Sequence, residues 1–172
     1  MSPQAQTPST SSAPGRPRYG SILVVIDDQP AEDAAVAAAV RIARQDHAIL
    51  NLLYVVPDYQ GPAVAAGFRG VALAHLLTDP DAAARRSLNA AVGRTPADIG
   101  VRTRIARGRR GRAIIAHAAQ GHYDAIVMTA RTRRPCGFWA GHAYVRRHAR
   151  IPVLMAESAL DQPSERAWPS DR

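Results

Sequence analysis

The sequence predicts a single-domain α/β protein, built as an open parallel sheet with helices on both faces. Three observations carry this. Ile22–Ile26 and Asp124–Met128 are short, nearly unbroken apolar runs, as expected of strands buried on both faces of a parallel sheet. From Tyr19 to Ala156, strand-like runs alternate with segments of helical period, the pattern of right-handed crossover units. The chain has 172 residues, 47% of them hydrophobic, which suits one good core rather than two.

Residues 1–18 are rich in Ser, Pro, Thr and Gln, with little to bury against the entropy cost of ordering, and are expected to form a disordered tail. The first strand, Ile22–Ile26, ends in Asp27 and Asp28, which puts carboxylates at its exit. Pro30 suits the first turn of a helix, Glu32 and Asp33 suit the positive end of its dipole, and Val36, Val40 and Ala43 share one face. Gln29 is a poor cap, so Asp28 is expected to share that work. Ile49–Val56 reads as the second strand, closed by Pro57 and Asp58. Residues 58–70, with three glycines and a proline, read as loop, and Val71–Leu77 has the length of a helical turn or two.

Asp79-Pro80 starts the second main helix, with Ala84, Leu88 and Val92 on its inner face and Gly93 as its stop. Val101, Thr103 and Ile105 alternate with Arg102 and Arg104, the period of an edge strand with one face exposed. Gly108–Arg112 reads as a tight basic turn. Ala113–Gln120 follows as a helix with Ile114 and Ala118 inward and Gly121 as its stop. After Asp124–Met128, the run Thr129–Pro135 is small, polar and basic, and is expected as a loop beyond the carboxyl end of its strand, where open α/β sheets bind ligands. From about Phe138 a last helix places His142, Val145 and Ala149 on one face, and Pro152–Met155 makes a last strand. Glu157–Arg172 is polar, with two prolines, and is expected to be a flexible tail.

No stretch approaches the eighteen or so apolar residues of a membrane span, and the N-terminal residues lack the apolar segment of a secretory signal. A cytoplasmic protein without membrane contact is therefore expected. The single Cys136 can form no internal disulfide, which fits a reducing compartment, and it reads as a loop side chain rather than a reactive thiol. The six histidines show no ligand spacing, so no metal site is expected. No nucleophile elbow, Walker loop or dinucleotide fingerprint occurs, which removes support for a serine hydrolase, a P-loop enzyme or a nicotinamide oxidoreductase. No catalytic residue is assigned.

The formal net charge of +8 is unevenly spread, and every basic residue other than histidine is an arginine. Ile99–Met155 holds twelve arginines and one acid, a net of +11, whereas Tyr19–Asp98 carries a net of −3. Such asymmetry points to an anionic partner, nucleic acid among them.

Four stretches in order resemble the universal stress protein family. Ile22-Leu23-Val24-Val25-Ile26-Asp27 is similar to its first strand with the terminal Asp, and Leu52-Leu53-Tyr54-Val55-Val56-Pro57 to its second, with Tyr54 where His is common. Gly108–Ile114 and Tyr123–Met128 resemble its glycine turn, helix and fourth strand. Arg147-His148-Ala149-Arg150-Ile151-Pro152-Val153-Leu154-Met155 resembles the family's His-Ala-x-x-Pro-Val-Leu ending. The resemblance spans residues 19–156 and implies a Rossmann-like, five-stranded parallel sheet. It also implies a homodimer and a stress-response binding or adaptor role rather than enzymatic catalysis.

Nucleotide-binding members of that family hold ATP- or AMP-type ligands with a loop of the form Gly-x-x-Gly, nine residues, then Gly-Ser or Gly-Thr. In this chain Thr129 and Thr132 take the places of the first two glycines, and Gly141-His142 follow eight residues later. Backbone N–H groups must approach phosphate closely, with φ values that β-branched Thr resists. The loop is therefore read as degenerate, with ATP binding weak, altered or absent. Asp27 and Val55 match positions that contact the nucleoside in binding members. Asp27 stands as either a ligand-facing carboxylate or a helix cap. Arg131, Arg133 and Arg134 either hold an anion through charge-assisted bonds or form a solvated basic loop. The candidate nucleotide or anion site is thus Asp27, Val55, Thr129, Arg131, Thr132, Arg133, Gly141 and His142. The alternative is an anion or nucleic-acid binder using the arginine-rich half, with salt-sensitive affinity.

Overall fold

The computed structural model describes residues 18–26, 32–57, 79–129 and 140–156. Asp27 and Asp28 at the first strand's exit, the expected helix start at Pro30, the 58–78 segment and the C-terminal tail lie outside these residues, as does all but the end of the N-terminal tail. In chain order the elements are β1 (Ser21–Ile26), α1 (Glu32–Asp46), β2 (Ile49–Val56), α2 (Pro80–Gly93), β3 (Val101–Arg107), α3 (Arg110–Gln120), β4 (Ala125–Thr129), α4 (Ala140–His148) and β5 (Val153–Ala156). The five strands form one parallel sheet in the order β3-β2-β1-β4-β5. Strand and helix alternate because each parallel connection must carry the chain back to the end of the sheet where the strands begin.

The central strands explain their own composition. Ile22, Val24 and Ile26 of β1 face a cluster completed by Val36, Ala39 and Ala43 of α1 and by Ala84, Leu88 and Ala91 of α2. Leu23 and Val25 face the other way, toward Ile114 of α3 and Val145 of α4. Both sets are buried, so the alternation of direction is invisible in a strand that is apolar throughout. Each fully buried Leu or Ile here contributes about 1.5–3 kcal/mol of transfer free energy.

α1 ends in a left-handed residue that is not glycine. His47 has φ 58°, and the Ala48 N–H bonds back to the Ala43 carbonyl at 3.1 Å, the longer bond of a Schellman ending. The buried contact that accompanies such an ending is supplied by Ala48 and Ala43 themselves. At α2 the cap is conventional, with Asp79 Oδ1 accepting the Ala82 N–H at 2.9 Å and Pro80 opening the helix.

Several expectations are corrected. The inner face of α2 is Ala84, Leu88 and Ala91, while Val92 is 38% exposed. At 100° per residue, position i+7 returns to the face that i+8 overshoots. α3 begins at Arg110 rather than Ala113, because Gly108, with φ 117°, turns the chain alone and leaves Arg109 as the helix cap. β3 is an edge strand as the alternation implied, but Thr103 and Ile105 are exposed along with Arg102 and Arg104. Only Val101 and Ala106 of this strand pack partly against the core. No helix among the described residues is long and apolar enough to cross a membrane.

Candidate functional site

Sheet order places the switch point between β1 and β4, since the chain runs outward from β1 through β2 to β3 and then restarts on the other side. The crevice outside the carboxyl ends of these two strands is where such sheets take ligands. The register shows it opening. β1 pairs with β2 to its last residue, Ile26↔Tyr54, but with β4 only as far as Val24↔Val127, two residues short of both strand ends.

The opposite end of the same strand pair is clasped. Asp124 Oδ2 accepts the N–H groups of Gly20 and Ser21 at 2.7 and 2.9 Å, and the Asp124 N–H donates to the Ser21 carbonyl at 2.8 Å. β1 and β4 are thus pinned where they begin and free to part where they end. Sequence reading placed Asp124 inside the strand and missed this role. Its signal was its solitude, as the one acid in a segment with twelve arginines.

Of the predicted site residues, four lie among the described ones. Val55 sits one residue past the last β1–β2 pair, its side chain buried beneath α3 and α4. Thr129 is corrected from loop to strand: it is the last residue of β4, 1% exposed, and is paired with Ala156. Its β-branched side chain suits that buried strand position. Gly141 and His142 lie in the first turn of α4, Gly141 buried and His142 half-buried. Asp27, Arg131, Thr132 and Arg133 lie outside the described residues, as do Arg134, Cys136 and Phe138.

Gly141 faces α3. A Cβ built there would stand 3.5 Å from the Gly111 nitrogen and 3.6 Å from Arg110 side-chain atoms, ordinary contact distances. The tighter position is Gly111 itself, where a Cβ would meet Tyr144 at 3.0 Å and the Gly141 carbonyl at 3.1 Å. Gly111 is what lets α3 and α4 approach; the sequence reading assigned it to the basic turn before the helix and so missed this role.

Two side chains away from the crevice have shifted pKa values. Burial, and secondarily the nearby charge of Arg104, push the His117 imidazole below its ordinary value. Its Nε2 lies 3.0 Å from the Tyr123 hydroxyl. A hydrogen bond from Arg44 holds the exposed Asp98 carboxyl below the usual carboxylate range. A groove of about 460 Å³ lined by Val40, Arg41, Arg44 and Arg94 lies on the α1 flank. It sits at the returning end of α1, toward the amino ends of the strands, and so is separate from the crevice. Among the described residues no group of three or more His, Cys, Asp or Glu is placed to hold a metal.

An open parallel sheet reversing at a switch point, with helices on both faces, defines a Rossmann-like α/β domain. The chain belongs to the universal stress protein family, whose model matches residues 18–157. The universal stress protein UspA from Lactobacillus plantarum is 31% identical, with a TM-score of 0.62 over 82% of this chain and 99% of that one. A universal stress protein family member from Burkholderia pseudomallei is 26% identical, with a TM-score of 0.59 over 80% and 95% of the two chains. The universal stress protein from Archaeoglobus fulgidus in complex with dAMP shares the fold at 16% identity, with a TM-score of 0.58 over 80% and 98%. Among curated proteins, no sequence matches the chain.

Proposed function

We propose that this chain is a cytoplasmic stress-response binding or adaptor protein, without enzymatic activity, that takes an adenine nucleotide at the β1–β4 switch point with a weakened hold on its phosphates. The observation that carries this is the early end of β1–β4 pairing, at the carboxyl ends of the two strands that Asp27 and the Thr129–His142 stretch directly follow in the chain. The dAMP complex of a protein with the same fold supports the ligand class. In this reading Asp27 and Val55 serve the nucleoside, while Thr132 denies the phosphates the glycine backbone that would close on them, and Thr129, held in β4, lies below that loop. Arg131 and Arg133 attract the anion instead, through forces that salt screens. Gly141 and His142, opening α4, stand at the positive end of its dipole.

Titration calorimetry of the full chain with AMP and ATP tests the reading. Weak, salt-sensitive binding is expected, lost in Asp27→Ala and strengthened in Thr132→Gly. Thr132 is the informative threonine, because Thr129→Gly would also remove a buried strand side chain. Tight ATP binding indifferent to salt would overturn the weakened phosphate grip. Absence of binding to either nucleotide would remove the nucleotide altogether.

A further inference from the structure

Six arginines and no acid lie between Ile99 and Tyr123, the segment that forms β3, the following turn and α3. One of the six, Arg107, reaches across to Asp81 of α2. Arg102, Arg104, Arg109 and Arg112 are exposed and pair with no acid among the described residues. Arg102 and Arg104 stand opposite Asn51 and Leu53 of β2 and project to the α3 side, as Leu53 does. A concentration of like charge costs stability in the isolated protein, a cost that a polyanion would offset.

We propose that the β3 edge and the adjoining flank of α3 form a binding surface for single-stranded nucleic acid, separate from the switch point. Alternate residues on a strand stand about 6.6 Å apart, comparable to successive phosphates on an extended nucleic-acid strand. The ladder to β2 holds the Arg102 and Arg104 backbones at that spacing. The guanidinium fork suits phosphate oxygens bidentately. Beside Arg104, the His117 and Tyr123 rings stack with centroids 5.7 Å apart at 29°, and are half-buried, so an aromatic surface adjoins the cationic one. Arginines tracking a backbone next to rings on which bases stack are the parts of a sequence-tolerant single-strand site. An acidic peptide added as a further strand would need pockets for its alternate side chains. Its carboxylates would pair with Arg102 and Arg104 as phosphates do, so the stacking rings are what favour nucleic acid and polyglutamate is the control.

Fluorescence anisotropy with a labelled oligodeoxythymidylate tests the proposal on the full chain, at about 50 and about 200 mM salt. The expected result is binding that weakens steeply with salt. Arg102→Gln/Arg104→Gln should lose at least about tenfold in affinity, and its dependence of log K on log salt should flatten by about 1.4, two phosphate contacts' worth. Arg85→Gln/Arg86→Gln, which removes the same charge from exposed positions on α2, should bind as the parent does. Matching thermal melts for the three proteins establish that all are folded. An equal loss in both variants, an equal affinity for polyglutamate, displacement of the oligonucleotide by excess ATP, or no binding at low salt would each overturn the proposal.

Discussion

Asp124 shows how much can rest on one side chain, since it accepts two backbone N–H groups with a single oxygen and joins the starts of two central strands. Asp124→Ala should lower stability by about 1.5 kcal/mol, and Asp124→Asn, which keeps an acceptor, by less. Urea denaturation reads this as a lower midpoint with unchanged slope. An unchanged midpoint in Asp124→Ala would show that the clasp contributes nothing. His117 makes the second prediction at this scale. The groups facing it are Arg104 from β3 and the Tyr123 hydroxyl. Its folded pKa lies below the ordinary 6.5 regained on unfolding, so the unfolded chain takes the proton first. Its contribution to stability is therefore full above about pH 6.5 and declines as pH falls through that value toward the folded pKa. Proton NMR should follow the His117 ring titrating below 6.5, and partway back toward 6.5 in Arg104→Gln, since burial is the larger cause. A ring titrating at or above 6.5 in the parent would sink this reading.

Among the elements, α3 packs directly against α4 at Gly111 and Gly141. This packing depends on Gly111, because a methyl group there meets a backbone carbonyl and the root of the Tyr144 side chain, neither of which swings away. Gly111→Ala should cost about 1–3 kcal/mol from overpacking, against a gain of about 1 kcal/mol in helix propensity, for a net loss. Gly141→Ala meets only ordinary contacts and should be the milder of the two. Thermal melts of both variants compare them directly, and a more stable Gly111→Ala would mean that the helices sit farther apart than described. The elements were also the most legible level of the sequence. Apolar runs marked β1, β4 and, interrupted by Asn51, β2, because strands covered on both faces have no reason to alternate. β3 was harder. Its alternation identified the strand and its edge position, but whether Thr103 and Ile105 were covered depended on where the neighbouring helices stop, which no local pattern records.

At the scale of the molecule, family and sheet were readable because four short motifs recur in a fixed order, while the packing roles of Gly111 and Asp124 arise from contacts distant in sequence. Thr129 shows the limit on the candidate site: motif alignment assigned it to a phosphate loop, and a fifth strand beside it made it core. The short β5, half-buried at Val153, Leu154 and Met155, is the other edge of the sheet. We expect a homodimer joined there, since an apolar edge left open invites pairing. Sedimentation of the unmodified chain should give twice 18.4 kDa, and Leu154→Asp should shift it toward monomer. A monomer mass independent of concentration would remove the dimer.

The two margins of the sheet are unlike, and this sets how far association can go. One margin is short and apolar, whereas the other carries exposed Arg102 and Arg104, which repel a second margin of the same kind. Once two copies have met through β5, each offers a newcomer only its arginine margin. In the expected dimer growth would then stop at the closed pair, with the arginine margin opposing extension into a fibre.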